Sequence, residues 1–367
     1  MTSVAFFGPS GTFTEEALLT QPDLAAAALS PRSSIDEVLE AVSSGAVDRG
    51  FVPIENAIEG TVNATIDGLI FGHDLFIERE VVLDVHLQLM ARPGTRLDQV
   101  TRIHSFPHAL AQCRSFMNST IPGALSVAAT STADGARFVG ESGGPHDAAI
   151  APRLAATLYG LDVIASDIED HEDNQTRFVA VSRDEIPAPT GHDHTTIVCF
   201  QDADRPGSLY GILGQFAARD INLTNLQSRP TKQGLGQYCF IIDLEGHLAD
   251  QVIADCLRDL RAHLADIKFL GSYPTGGDAS DESVRRSLPS ALRPMSGSRD
   301  FVPRSSCDQA PSWVPPPPAL SAGIHLSIAE PSQGAARRDL LIGVDPRASD
   351  VTDFVQSAGD LVLLTRF

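Results

Sequence analysis

The sequence predicts an α/β protein ending in a small βαββαβ domain, and three observations carry that prediction. Over residues 1–183 short apolar strands alternate with amphipathic helices, the order that gives mostly parallel sheet. A polar, Pro-containing stretch at 184–194 then separates this region from the next. Residues 195–273 run strand, helix, two strands, helix, strand, which is a ferredoxin-like layout.

Each element follows from local pattern. Val4–Phe7 is the first strand, followed by the loop Gly8-Pro9-Ser10-Gly11 and a helix from about Thr14. Ile35, Val38, Leu39 and Val42 fall on one helical face, and Val62, Ile66, Leu69 and Ile70 fall on another. Between them Gly50–Pro53 is a short strand running into Ile54-Glu55-Asn56. Leu83, Val85, Leu87 and Leu89 alternate with polar residues, and the extended stretch Glu78–Arg92 reads as a crossover between two lobes. Strand and helix then pair three times, at 101–118, 125–139 and 148–159, and strands at 163–165 and 177–181 close the region.

In the second region Thr195–Phe200 is a strand, and Leu209, Ile212, Leu213 and Phe216 define a helix. A hairpin from about Asn225 to Leu244, a helix on Ile253, Cys256, Leu257 and Leu260, and the strand Ile267–Gly271 complete it. From Pro274 the composition changes. Eleven of the 24 prolines lie in residues 274–367, too little apolar surface accompanies them to offset chain entropy, and disorder is expected.

Composition removes several function classes. The formal charge is 27 − 47 = −20, and only Lys232 and Lys268 are lysines, so nucleic-acid binding is not expected. No apolar run approaches the roughly 20 residues of a membrane span. The N-terminus reads as a strand rather than a signal peptide, which places the protein in the cytoplasm. Cys113, Cys199, Cys239, Cys256 and Cys307 are scattered without a CxxC pair, as expected of free, mostly buried thiols.

Four segments put polar side chains where a strand meets a loop, the ligand-binding position of open α/β sheets. They are Gly8–Thr14, Pro53–Asn56, His104–Pro107 with Gln112, and Asn174–Phe178. Each alone has an ordinary explanation as a turn, a helix cap or a strand start. GxGxxG, Walker, HExxH and GxSxG patterns are absent from the sequence. The acidic run Asp167–Asp173 reads as a solvated loop rather than a metal site, and His192 and His194 as surface residues of the linker.

In combination the segments change the odds. Gly8–Phe13, Pro53–Asn56 with Gly60-Thr61-Val62, and Thr176-Arg177-Phe178 together make the first region resemble prephenate dehydratase. The family's Ser-His-Pro-Gln is kept only as Ser105 and Pro107, with Phe106 and His108 as departures. The second region resembles an ACT domain, the small-molecule sensor attached to amino-acid enzymes. Pro206-Gly207-Ser208-Leu209 and Asn222–Pro230 carry that likeness, with Gln227 where the family has Glu.

The resemblance implies a two-lobed catalytic domain like type II periplasmic binding proteins, with its site in the cleft. It implies loss of carbon dioxide and water from prephenate in phenylalanine biosynthesis. Aromatisation drives that reaction, so no metal or redox cofactor is expected. Thr176 would hydrogen-bond the leaving hydroxyl, and a buried Glu55 would supply the proton. Thr12, Asn56, Ser105, Gln112, Arg177 and Phe178 would hold the substrate. Arg177 and helix N-termini after Gly11 and Ser105 would offset its charge.

Control by phenylalanine would use Pro206, Gly207, Ser208, Leu209, Asn222, Leu223, Gln227, Ser228, Arg229 and Pro230, shared between subunits of a homodimer or homotetramer. Arogenate dehydratase is the nearest rival activity. A non-catalytic amino-acid-binding regulator is the rival from another class.

Overall fold

The computed structural model describes residues 2–276, apart from 172, 185, 202–204, 233, 235 and 236. The expected disorder beyond Pro274 therefore falls, from residue 277 on, outside the described residues. Two lobes and the βαββαβ domain each have a sheet, and the two lobe sheets are mixed rather than mostly parallel. The first runs Ala28–Arg32, Ser3–Phe7, Arg49–Asn56, Gln175–Ser182, Phe76–Asp84, with Gly60–Thr61 beside Arg49–Asn56. Its first three strands are parallel, whereas Gln175–Ser182 is antiparallel to both neighbours.

The second runs Asp162–Ala165, Gln88–Ala91, Asp147–Ala151, Arg102–Ser105, Leu125–Ala128, and is antiparallel over its first two pairings. The physical reason is the double crossing. Phe76–Asp84 leaves the first lobe through 85–87 into Gln88–Ala91, and the chain returns into Gln175–Ser182, so strands enter each sheet from the far lobe.

The helix Ile35–Ser43 buries Ile35, Val38, Leu39 and Val42, as its periodicity predicts, and Ser34 caps it by accepting from Glu37 N at 3.2 Å. The second predicted helix is Asn63–Asp67 followed by a π turn, Gly68–Gly72. A Cβ on Gly68 would lie 2.4 Å from Leu39 Cδ1, so this residue lets the turn pack on the helix.

The crossings are tied together by a residue expected in a solvated loop. Glu169 has a side chain only 4% exposed; it accepts from Leu87 N at 2.8 Å and lies 2.9 Å from His86 Nδ1. Ile168 N donates to Leu87 O at 3.0 Å and Val85 N to Asn174 O at 2.7 Å. The acidic run is thus partly a structural clasp.

In the third sheet the order is Leu223–Pro230, Tyr238–Glu245, Asp193–Phe200, Asp266–Pro274, antiparallel throughout. Ile212, Phe216, Ile253, Cys256 and Leu260 of its two helices cover one face. The other face, with Val198, Cys239, Ile241, Leu270 and Tyr273, shares a core with Val52, Ile77 and Val179 of the first lobe. Gly271 makes the approach possible: its φ is +150° and a Cβ there would sit 2.3 Å from Ile77 O. His194, expected at the surface, lies in this contact with its Nδ1 3.6 Å from Glu80. The four described cysteines are free and buried.

Candidate active site

Thr176 is the second residue of the strand that returns from the second lobe, and Asn56 ends the central strand of the first. The two are register partners. A bulge between Arg177 and Phe178 brings this about. Ile54 is the extra residue, and it shifts Asn56 onto the sheet face that Thr176 occupies. Asn56 Nδ2 then lies 2.8 Å from Thr176 Oγ1 and 3.0 Å from Asn174 Oδ1. Asn56 Oδ1 accepts from Ile58 N at 3.0 Å and Glu59 N at 2.9 Å, which fixes the amide's orientation. Asn174, 1% exposed, reaches on to Gln112 Oε1 at 3.4 Å in the second lobe.

Four residues therefore form one chain across the lobes: Gln112, Asn174, Asn56 and Thr176. Asn174 belongs to a segment that sequence singled out, yet its place in this chain was not foreseen. Its neighbours in space are 118 and 62 positions away, so only the fold reveals it.

Other predicted residues sit elsewhere. Strand alternation turns Arg177 to the opposite face from Thr176, where its Nη1 and Nη2 reach Glu80 at 3.2 Å and Asp243 at 3.0 Å. Glu55 shares that face, 3.4 Å from Arg177 Nε, and 44% of its side chain is exposed. The burial required of Glu55 as a proton source is absent. Phe178 is on the Thr176 side but stacks on Phe51 at 5.7 Å within the core. Ser105 is fully buried and donates to Ile150 O at 2.5 Å, so it props the second-lobe sheet.

Thr12 lines the cleft as the cap of helix Phe13–Leu19, accepting from Glu15 N at 3.4 Å. Gly11 N is already held by Glu15 Oε2 at 2.6 Å, so this N-terminus is less open to an anion than expected.

Between the lobes lies a cleft of about 620 Å³, lined by Gly8, Pro9, Thr12, Thr14, Arg32, Phe106 and Thr130–Thr132 among others. Arg32 brings a cation to it. Two contacts join the lobes beside it. Tyr159 OH donates to Ser10 O at 2.8 Å, and His108 Nδ1 lies 3.0 Å from Glu59. Gly11, with φ +87°, allows Tyr159 and Ala155 to come within 3.2 and 3.4 Å of where its Cβ would be.

Glu16, on the first turn of helix Phe13–Leu19, stands apart by its surroundings. Although part of its surface remains accessible, enclosure of the carboxyl pushes it up to about 7, against the pull of His86 and Arg153. A carboxylate in a first helical turn reads in sequence as an ordinary dipole partner.

In the third domain Gly207, φ +88°, caps the helix Ser208–Ala217, so the turn Pro206-Gly207-Ser208-Leu209 requires glycine there. The strand holding Leu223, Gln227, Ser228, Arg229 and Pro230 lies at the sheet edge against the first lobe. Gln227 faces Thr61 at 3.4 Å, and Arg229 Nε lies 2.5 Å from Asp67 while its Nη1 donates to Asn63. Asn222 donates to Glu245 at 2.8 Å. Arg229 and Gln227 are thus engaged with the lobe in this structure. Among the described residues no helix is long and apolar enough to cross a membrane.

Comparison with known proteins follows the same division. The prephenate dehydratase family model matches residues 4–186 and the ACT domain model residues 195–262. The chain is 42% identical over 275 residues to prephenate dehydratase of Amycolatopsis methanolica, covering 74% of this chain and 88% of that protein. It is 41% identical over 271 residues to the bifunctional chorismate mutase/prephenate dehydratase of Pseudomonas aeruginosa, covering 74% and 73%.

A crystal structure of prephenate dehydratase from Arthrobacter aurescens in complex with L-Phe is 43% identical with a TM-score of 0.71, covering 75% of this chain and 90% of that one. A structure of GqqA, described as a novel type of quorum quenching acylase, is 30% identical with a TM-score of 0.68, covering 74% and 98%.

Proposed function

Because the chain belongs to the prephenate dehydratase family and carries an ACT domain behind the dehydratase region, we propose that it converts prephenate to phenylpyruvate under phenylalanine control. The observation that supports the chemistry best is the Asn56–Thr176 pair. Asn56 Nδ2 can only donate, so Thr176 accepts there and its own O–H is left to point at a substrate oxygen. Loss of the ring hydroxyl and of the carboxylate as carbon dioxide leaves an aromatic ring, so the protein need only align the two bonds and stabilise the departing oxygen.

Thr176 supplies the hydrogen bond at that oxygen, and Asn56, Asn174 and Gln112 hold it in place from both lobes. A hydroxyl is too weak an acid to be the proton source. Glu55, 44% exposed beside Arg177, lacks the burial that part requires. Arg32 gives the cleft a cation for a substrate carboxylate, a part for which Arg177 is turned the wrong way.

The ACT domain would bind phenylalanine where the Pro206–Leu209 turn of one subunit meets the Asn222–Pro230 segment, with its edge strand Leu223–Pro230, of another. That strand is paired on one side only, and Tyr210, 81% exposed, stands near the turn, so a homodimer or larger assembly fits. A cytoplasmic location would suit a biosynthetic enzyme of this family. Acyl-amide hydrolysis has less support: Ser105, the serine kept from the family's Ser-His-Pro-Gln, is buried and bound to a carbonyl. Incubating the chain in parallel with prephenate, arogenate and an N-acyl amide separates the three activities, and phenylpyruvate absorbance from prephenate alone is the expected result.

A further inference from the structure

Arg177 neighbours Thr176 in the chain but serves the other domain. Its side chain is 17% exposed and is surrounded by carboxylates from both sides of the domain boundary. Glu80 comes from the first lobe, with 5% of its side chain exposed, and Asp243 from the third sheet, with 3%. Asp243 is itself held: Thr196 Oγ1 donates to it at 2.7 Å and shares a 2.7 Å bond with Tyr273 OH. Asn225 Nδ2, on the edge strand, lies 3.4 Å from the same Asp243 oxygen that faces Arg177. Burial works against charge on Arg177, and Asp243, Tyr273 and Glu80 more than offset it, so the guanidinium stays charged.

The hold is unequal. Nη1 and Nη2 are bonded to Glu80 and Asp243, whereas Nε faces Glu55 at 3.4 Å without hydrogen-bond geometry. Glu55 is the register partner of Arg177, as Asn56 is of Thr176. One guanidinium thus joins the edge strand of the third domain, through Asn225 and Asp243, to the backbone carrying both members of the catalytic pair.

We propose that Arg177 is a positioning residue, and that the Arg177–Asp243 pair sets the Thr176–Asn56 geometry from the ACT domain and relays the effector to it. The proposal deepens the phenylalanine-control reading above and rests on it. A buried pair of this kind has two arrangements, engaged or parted, and the effector biases it by binding one better. When the pair parts, Nε is free to close on Glu55 and draw the strand end with it.

The test uses the full-length chain with Asp243→Asn, a change in the third sheet that keeps side-chain shape. The expected result is kcat lower by about tenfold or more with KM within about threefold, a melting temperature close to wild type, and loss of the phenylalanine effect on rate. Arg177→Lys should retain more activity than Arg177→Gln, because a cation still meets Asp243. Unchanged kcat together with an unchanged phenylalanine response in Asp243→Asn would overturn the proposal.

Hydrogen exchange separates this from failure of the activity assignment. Phenylalanine should alter protection of the Gln175–Ser182 strand in the wild type and not in Asp243→Asn, whether or not prephenate turns over. No change in the wild-type strand would overturn the coupling even if phenylpyruvate is formed.

Discussion

Asn56 Nδ2 donates to the Thr176 hydroxyl at 2.8 Å, across a strand pairing displaced by a one-residue bulge. The donor and acceptor sense of that bond is fixed by Ile58 N and Glu59 N on the amide's other end. The threonine proton is thereby left for an acceptor other than Asn56.

Thr176→Ala should lower kcat by roughly 10²–10⁴-fold while KM moves little, because the hydroxyl acts on charge that develops in the transition state. Thr176→Ser should keep substantially more turnover. Steady-state rates on prephenate check this, and near-normal turnover by the alanine variant would remove Thr176 from the mechanism.

Asn56→Asp replaces a donor with an acceptor beside Thr176 Oγ1. The threonine would then donate inward to the carboxylate and be unavailable to substrate, so kcat should fall at least as far as in Asn56→Ala. The comparison of the two kcat values distinguishes a directed bond from mere packing.

Glu16 predicts a pH dependence. Its folded-state value is raised from 4.5 to about 7, so between those limits the folded protein holds more protons than the unfolded. Stability should therefore fall as pH rises through that window, by no more than about 3 kcal/mol, and level off above it. In Glu16→Gln this slope should vanish, as measured by denaturant unfolding at pH 5 and 8.

Gly271→Ala should destabilise the chain by about 2–4 kcal/mol, since a Cβ would meet Ile77 O at 2.3 Å in backbone that L side chains rarely adopt. Gly211→Ala, a helical position with nothing within 4 Å, should be neutral or slightly stabilising. Paired thermal melts check the contrast.

Much of this was legible in residue order. The Ile35–Val42 periodicity gave a helix, the alternating Leu83–Leu89 stretch marked the crossing, and the βαββαβ order emerged from short apolar runs. Mixed sheet pairing was hidden, because alternation of strands and helices says nothing of a strand that enters from the other lobe. The Thr176–Asn56 partnership was suspected only as co-occurrence, since its geometry depends on the bulge at Ile54.

Arg177 and Glu55 were misplaced for a related reason. Adjacent residues on a strand face opposite ways, so a contiguous Thr-Arg-Phe triplet cannot aim all its side chains at one ligand. Glu169 and His194 were missed because a charged residue in a polar run gives no sign that tertiary contacts will bury it.

The most direct measurement is incubation of the purified full-length chain with prephenate at neutral pH, following phenylpyruvate by its absorbance, beside Thr176→Ala at equal concentration. The expected result is enzymatic formation of phenylpyruvate by the wild type and a rate lower by orders of magnitude in the variant. Equal rates in the two, or no phenylpyruvate above the uncatalysed background, would contradict it.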